Sequence, residues 1–174
     1  MKIGFIGLGN MATAIIGGLL REDTTLNSED GNATVITAAN IIGSAKTEAT
    51  RQKRAEQFGI AVTASNREVA EAADVLVLAV KPQFFPEVIA EIRDAVSENT
   101  LVISIAAGLT LERIAGLFDR NVTAMRLIRC MPNTPALVNA GCTAVVPGPG
   151  ATEADEALCL RLMASFGQIG RAHV

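Results

Sequence analysis

Along the chain, short apolar runs rich in β-branched residues alternate with longer stretches whose apolar positions recur at helical spacing. KIGFI (2–6) reads as a first strand, and a glycine turn separates it from a helix over Asn10 to Arg21. ATVITAA (33–39) reads as the second strand, followed by a polar helix around Lys46 to Phe58. AVTAS (61–65) is a short strand and NREVAEAA (66–73) a small helix. DVLVLAV (74–80) is the clearest strand, apolar along its length as a strand covered on both faces must be. PEVIAEIRDAV (86–96) is a helix with Val88, Ile89, Ile92 and Val96 on one side, and TLVISIAAG (100–108) is another buried strand. A helix over TLERIAGLF (110–118) starts at Thr110, and VTAMRLIR (122–129) is a further strand. CMPNTPALVNAG (130–141) reads as loop, CTAVVPG (142–148) as a strand, and TEADEALCLRLMASFG (152–167) as a closing helix. Its expected N-cap is Thr152, with Asp155 in the first turn.

Strands alternating with helices imply right-handed crossovers and a parallel sheet. The fold class is therefore α/β: a Rossmann-like doubly wound, mainly parallel sheet with helices on both faces. At 174 residues the chain is sized for one domain with a real core, and it contains no internal repeat or low-complexity linker. EDTTLNSEDGN (22–32), the most polar stretch, reads as a surface loop before the second strand.

Composition narrows the class further. Hydrophobic residues make up 49% and charged ones 19%, which is globular, and with 3% aromatics the core must be filled by small aliphatic side chains. A net charge of -3 supplies no basic stripe, so no nucleic-acid partner is expected. The apolar runs are too short for a membrane span, and the first residues lead into a strand without a secretory signal. A cytoplasmic location without membrane partners is the expectation. Cys130, Cys142 and Cys159 form no CxxC pair, which argues against a disulfide framework or a metal site. They read as three buried small hydrophobes.

The glycines after the first strand carry the chemistry. Gly7, Gly9 and Ala12 form GxGxxA between a strand and a helix. The first glycine allows the tight turn, the second lets backbone approach a pyrophosphate, and the alanine lets the helix pack closely on the sheet. The helix starting near Asn10 then aims free N–H groups and its positive dipole end at the phosphates. A fold that selects NAD usually ends its second strand on Asp or Glu to hold the ribose hydroxyls. Here that strand ends on Ala39 and Asn40 without an acid, and Ser44, Lys46, Thr47 and Arg51 follow with hydroxyls and positive charge. NADPH is the expected cofactor, with NADH possible.

Three further stretches, LAVKPQ (78–83), VISIAAGLT (102–110) and IRCMPNTPALVNAG (128–141), follow GFIGLGNM in a spacing that resembles the N-terminal domain of pyrroline-5-carboxylate reductase. The resemblance runs from Lys2 to about Gly167. It implies that Ile6, Gly7, Leu8, Gly9, Asn10 and Met11 hold the dinucleotide and that Asn66 also contacts it. By the same resemblance Ala79, Val80, Lys81 and Pro82 border the cofactor, as do Ile105, Ala106 and Ala107. Met131, Pro132 and Asn133 then flank the nicotinamide and the substrate. Asn40 joins this set from its place at the end of the second strand. All these positions fall where predicted parallel strands end, which is where open α/β sheets bind ligands.

The implied activity is NADPH-dependent reduction of 1-pyrroline-5-carboxylate to L-proline. The nicotinamide would carry the chemistry and the protein would orient it, so no catalytic residue and no metal ligand is expected within this chain. Other readings are an NADP-linked dehydrogenase of the β-hydroxyacid type, which would lack MPNTP, and a cofactor-binding module without activity. The sequence departs from the family in two places. The stretch after the second strand, NIIGSAKTEATRQKR (40–54), is longer than usual, and the helical domain through which the resemblance implies full-length relatives form homo-oligomers is expected to be absent from this chain. Residues 1–168 are accordingly expected to form the NAD(P)-binding domain. IGRAHV (169–174) holds the only histidine, His173, and replaces the strand expected after SFG. It matches one reading frame of a common DNA-sequencing adapter and is expected to be a non-native tail.

Overall fold

The computed structural model describes residues 1–21, 25–27, 33–133, 135–136 and 140–171. In chain order the first half holds β1 (Ile3–Ile6), α1 (Asn10–Arg21), β2 (Thr25–Asn27), β3 (Ala33–Val35), β4 (Ile41–Ser44), α2 (Glu48–Phe58), β5 (Ala61–Thr63), α3 (Asn66–Ala72) and β6 (Val75–Leu78). The second half holds α4 (Phe85–Ile92), β7 (Leu101–Ser104), α5 (Leu111–Leu117), β8 (Leu127–Pro132), β9 (Gly141–Pro147), α6 (Glu153–Ala164) and β10 (Gly167–Arg171).

Eight strands form one sheet in the order β10-β9-β8-β7-β6-β1-β4-β5. The six strands from β8 to β5 run parallel, while β9 pairs antiparallel with β8 and carries β10 parallel to itself. The order reverses at β1, which lies between β4 and β6. A doubly wound sheet opens a crevice at such a switch point.

The pleat divides the interior in two. Ile3, Phe5, Val75, Val77 and Ile103 point to one face and meet Ile15, Ile16 and Leu19 of α1 and Leu162 and Met163 of α6. Ile6, Leu76, Leu78 and Val102 point to the other and meet Val69 of α3, Val88, Ile89 and Ile92 of α4 and Ile114 of α5. Both faces are covered, so the central strands are apolar at every position, as DVLVLAV predicted. The helix starts also follow the sequence reading. Thr110 accepts from the Arg113 N–H, and Thr152 forms a reciprocal capping box with Asp155.

Five expectations change. The second strand of the main sheet is Ile41–Ser44 rather than residues 33–39; Ala33–Val35 instead pairs antiparallel with Thr25–Asn27 in a separate two-stranded ribbon. Burial decides this, because Ile41 and Ser44 are almost fully enclosed between β1 and β5. The stretch 40–54 is consequently no long loop but β4, a short connection and the start of α2. Cys130, Met131 and Pro132 belong to β8 rather than to a loop. Cys142 is exposed on β9, whereas Cys130 and Cys159 are buried with their sulfurs 3.4 Å apart. A strand does follow SFG: Gly167–Arg171 pairs along β9, while His173 lies outside the described residues.

Asp155, the expected first-turn acid of α6, also pairs with Arg126 and so fastens that helix to the sheet. Arg126 Nε donates to Asp155 Oδ2 at 2.9 Å and Nη2 donates to Oδ1. Burial by itself would push the Asp155 carboxyl up, but hydrogen bonds from Arg126 and from Thr152 hold it below the usual carboxylate range. No helix among the described residues is long and apolar enough to cross a membrane.

Candidate active site

Parallel register aligns the strand ends in one row: Ser44 of β4 beside Ile6 of β1, Leu78 of β6 beside Ile6, and Ser104 of β7 beside Leu78. The pairing continues past the strands, with Gly7 N–H donating to Ser44 O at 3.1 Å and Ala79 N–H to Ile6 O at 2.9 Å. Above this row, where the strand order reverses, lies a crevice of about 480 Å³.

Its floor is the glycine turn. Gly7 has φ +94°, and a Cβ there would come within 2.9 Å of Val80 Cγ1 and 3.0 Å of Ala79 O. Both the left-handed backbone and the closeness of the β6 end therefore require glycine. Gly9 is different, since a Cβ added there would meet no protein atom within 4 Å. Nothing in the protein explains why Gly9 lacks a side chain; the space above it is open and borders the crevice. Ala12, third in the motif, is buried in the core.

The start of α1 faces the same space. Its first turn carries no acidic residue, and Thr13, through both N–H and Oγ1, turns back to Gly9 O. The N–H groups at the head of this 12-residue helix thus remain available to an anion, with the helix dipole behind them.

The motif residues divide by what they expose. Ile6 and Leu8 are buried and offer only main chain. The Leu8 side chain fills the space left by Gly43, where a Cβ would lie 2.5 Å from Leu8 Cδ2. Asn10 is exposed at the helix start and Met11 half-buried behind it. Ala79, Val80 and Lys81 line the crevice, and Pro82 opens a 3-10 turn beside it.

Asn66 also lines the crevice. It is not the N-cap of α3: Ser65 takes that place by accepting from Glu68 N–H, and the Asn66 amide bonds elsewhere. Its Oδ1 accepts from Ser44 Oγ at 2.7 Å and its Nδ2 donates to Glu91 at 2.8 Å.

Asn40 is a correction. It sits at the start of β4, at the opposite end of the sheet from the crevice, where its side chain accepts from Thr37 N–H and donates to Met1 O. The misplaced second strand put it at the wrong end. Ser44, Ala45 and Lys46 hold the position it was expected to fill, still without an acid. Thr47 is engaged as the α2 N-cap, and Arg51 Nη1 donates to the carbonyls of Ala45 and Lys46.

A second group of expected residues lies farther along the same edge and does not line this crevice. Ile105, Ala106 and Ala107 follow the end of β7, and Ala106 is buried. Met131 and Pro132 end β8, and Asn133 just beyond ties down the neighbouring strand by accepting from Cys142 N–H at 2.9 Å. Sequence reasoning missed the part of the lining that Phe84, Glu87, Val88 and Glu91 contribute beside Asn66. Phe84 is 47% exposed, an unusual setting for phenylalanine, and its position just after VKPQ was the available signal. Lys46 and Lys81 set positive charge against Glu87 and Glu91 around the opening. No cluster that could hold a metal occurs among the described residues.

Comparisons place this geometry among known proteins. The family model described as NADP oxidoreductase, coenzyme F420-dependent, matches residues 2–108. The chain is 41% identical over 167 residues to pyrroline-5-carboxylate reductase of Escherichia coli (strain K12), covering 96% of this chain and 57% of that protein. The reductase of Vibrio alginolyticus is 38% identical over 168 residues, covering 97% and 56%. Among solved structures, a pyrroline-5-carboxylate reductase from Coxiella burnetii superposes with a TM-score of 0.86 at 33% identity, over 99% of this chain and 59% of that one. The Plasmodium falciparum enzyme with NADP bound gives 0.76 at 25% identity, over 99% and 58%. The resemblance first seen in GFIGLGNM, LAVKPQ and MPNTP is borne out, and the chain spans less than two thirds of the relatives' length.

Proposed function

Since the chain belongs to the NADP oxidoreductase, coenzyme F420-dependent family, we propose that residues 1–168 are the NAD(P)-binding unit of a pyrroline-5-carboxylate reductase. The observation that carries this reading is Gly9, bare beside open space at the head of α1. A diphosphate fits there: backbone N–H groups donate to its oxygens and no acidic side chain in the first turn repels it. Ser44, Lys46 and Asn66 stand where the adenosine ribose belongs, and Phe84 with Val88 offers an apolar wall to the base.

Ala106 and Met131, at the ends of β7 and β8, are among the residues that would hold the nicotinamide. NADPH held there would supply a hydride to the C=N carbon of 1-pyrroline-5-carboxylate, and a proton taken up from solvent at the ring nitrogen would complete L-proline. The residues of this chain bind and orient, and none of them holds or moves a proton in that reading. In this reading Met131, Pro132 and Asn133 would border the substrate, and further substrate contacts and homo-oligomer formation would fall to the helical domain that the family resemblance implies.

Calorimetric titration of the 174-residue chain with NADPH tests the proposal. Binding should be measurable, and Gly9→Asp should abolish it by placing bulk and charge against the diphosphate. Undiminished affinity in that variant would refute the placement. Proline- or thioproline-dependent NADP reduction should be negligible for this chain alone.

A further inference from the structure

We propose that the Lys46 ammonium selects the 2′-phosphate of the cofactor, and that Arg51 is a positioning residue that fixes Lys46 through its main chain. The proposal rests on the dinucleotide reading of the crevice. In the sheet order β6-β1-β4, the glycine turn after β1 lies between the ends of the other two strands. With the diphosphate on that turn, the adenosine ribose meets the end of β4, the second strand of the main sheet. Lys46 is exposed two residues beyond that end and lines the crevice. Lys81, the other lysine of the lining, follows β6 on the nicotinamide side.

Four residues at and after the end of β4 carry hydroxyls or positive charge, Ser44, Lys46, Thr47 and Arg51, and the folded chain engages three of them. Ser44 is 1% exposed and its hydroxyl donates to Asn66. Thr47 accepts from Thr50 N–H as the α2 cap, and its hydroxyl donates to Thr50 Oγ1. Arg51 does not line the crevice; its Nη1 donates to Ala45 O at 2.8 Å and to Lys46 O at 3.1 Å, which uses both N–H groups of that nitrogen. The Lys46 ammonium alone has no ion pair or hydrogen bond among the described residues.

A phosphate entering this crevice needs that cation. Glu87 and Glu91 are in the same lining, while no acid occurs between Ile41 and Thr47. An ammonium presents three N–H donors to phosphate oxygens, whereas an uncharged 2′-hydroxyl gains little from it. The four-carbon stem of lysine is flexible, so selection depends on where its root is held. Arg51, on the first turn of α2, supplies that hold by reaching back to the carbonyls of both residues that join β4 to the Thr47 cap.

The test is titration of NADPH and NADH against the wild-type chain, Lys46→Ala, Lys46→Arg, Arg51→Ala and the variant carrying both alanines. Lys46 is exposed, and matched melting curves confirm folding; Arg51→Gln, which can still donate to one carbonyl, replaces Arg51→Ala if the latter fails to fold. Lys46→Ala should lower the ratio of NADPH to NADH affinity about three- to tenfold, the worth of one charge-assisted contact at an exposed site. Lys46→Arg should keep most of the ratio. Arg51→Ala should lower it by a smaller factor and should lower it no further once Lys46 is alanine. An unchanged ratio in Lys46→Ala overturns the proposal. A full additional fall in the double variant overturns the positioning role, since the Arg51 guanidinium would then be meeting the phosphate itself. Failure of both nucleotides to bind the wild-type chain overturns the dinucleotide reading and this inference with it.

Discussion

Gly7 and Val80 approach so closely that a Cβ on the glycine would lie 2.9 Å from Val80 Cγ1. The contact joins the turn after β1 to the end of β6 across the switch point, and with φ +94° the turn is doubly intolerant of a side chain. Gly7→Ala should therefore destabilise the fold by about 2–3 kcal/mol, combining left-handed strain with overpacking. Thermal melting should fall measurably, and NADPH affinity with it.

Gly9→Ala should separate folding from binding. Its methyl group meets no protein atom within 4 Å, so stability should stay within about 0.5 kcal/mol of wild type. Affinity for NADPH should nevertheless drop, because the methyl occupies the approach of the diphosphate. Melting and titration on the same sample check both halves. Equal loss of stability in the two glycine variants would show that the open space is not what distinguishes Gly9.

These two glycines also show how much was legible beforehand. Strand, turn and helix from Lys2 to Arg21 could be read because the motif and both periodicities agree over adjacent residues. The second strand could not, since Thr34, Val35 and Ile36 look more strand-like than IIGS, whose glycine weakens the pattern. Gly43 makes sense only once Leu8 is seen filling its place, a contact that no local pattern reveals. Asn40 was misplaced for that reason. Asn66 was legible, but its partners were not: Ser44 and Glu91 are 22 and 25 residues away in sequence, and the sheet alone brings them together.

Asp155 gives the fold an acid-side dependence. Its carboxyl is held below its usual range, while in the unfolded chain it titrates near about 3.9. The native state therefore favours the ionised form, and this contribution is fully present above the unfolded value. It is lost as pH falls through that value toward the lower folded one. Asp155→Asn, which weakens both the Arg126 pair and the α6 cap, should cost about 2 kcal/mol at pH 7. Between pH 5 and pH 3 the wild type should lose more stability than the variant. Urea denaturation at those pH values measures the difference.

The thiols should separate by burial. Cys142 is exposed, whereas Cys130 and Cys159 are buried against each other. The Cys130 thiol is pushed well above its ordinary range by its hydrogen bond to Cys159 and by burial. The thiolate is the reactive form, so both buried sulfurs should be inert while the chain is folded. An aromatic disulfide reagent should titrate one thiol in native protein and all three in denaturant. Rapid reaction of more than one in the native chain would mean that the β8–α6 contact opens.

α2 contains no fully buried residue, yet two of its arginines brace both lips of the crevice. Arg51 holds the carbonyls of Ala45 and Lys46, and Arg54 Nε donates to Leu8 O at 3.3 Å across the glycine turn. Gln57 steadies the Arg54 guanidinium from one turn on, at 2.7 Å. Leu8 anchors the turn from inside through its side chain, so Arg54 acts on the backbone between the two glycines. Arg54→Ala should leave that backbone freer, weakening NADPH binding about three- to tenfold with little change in melting temperature. Lysine can still make a single hydrogen bond there, so Arg54→Lys should recover part of the affinity. Titration of both variants decides, and wild-type affinity in Arg54→Ala would show that the turn holds its shape without the brace.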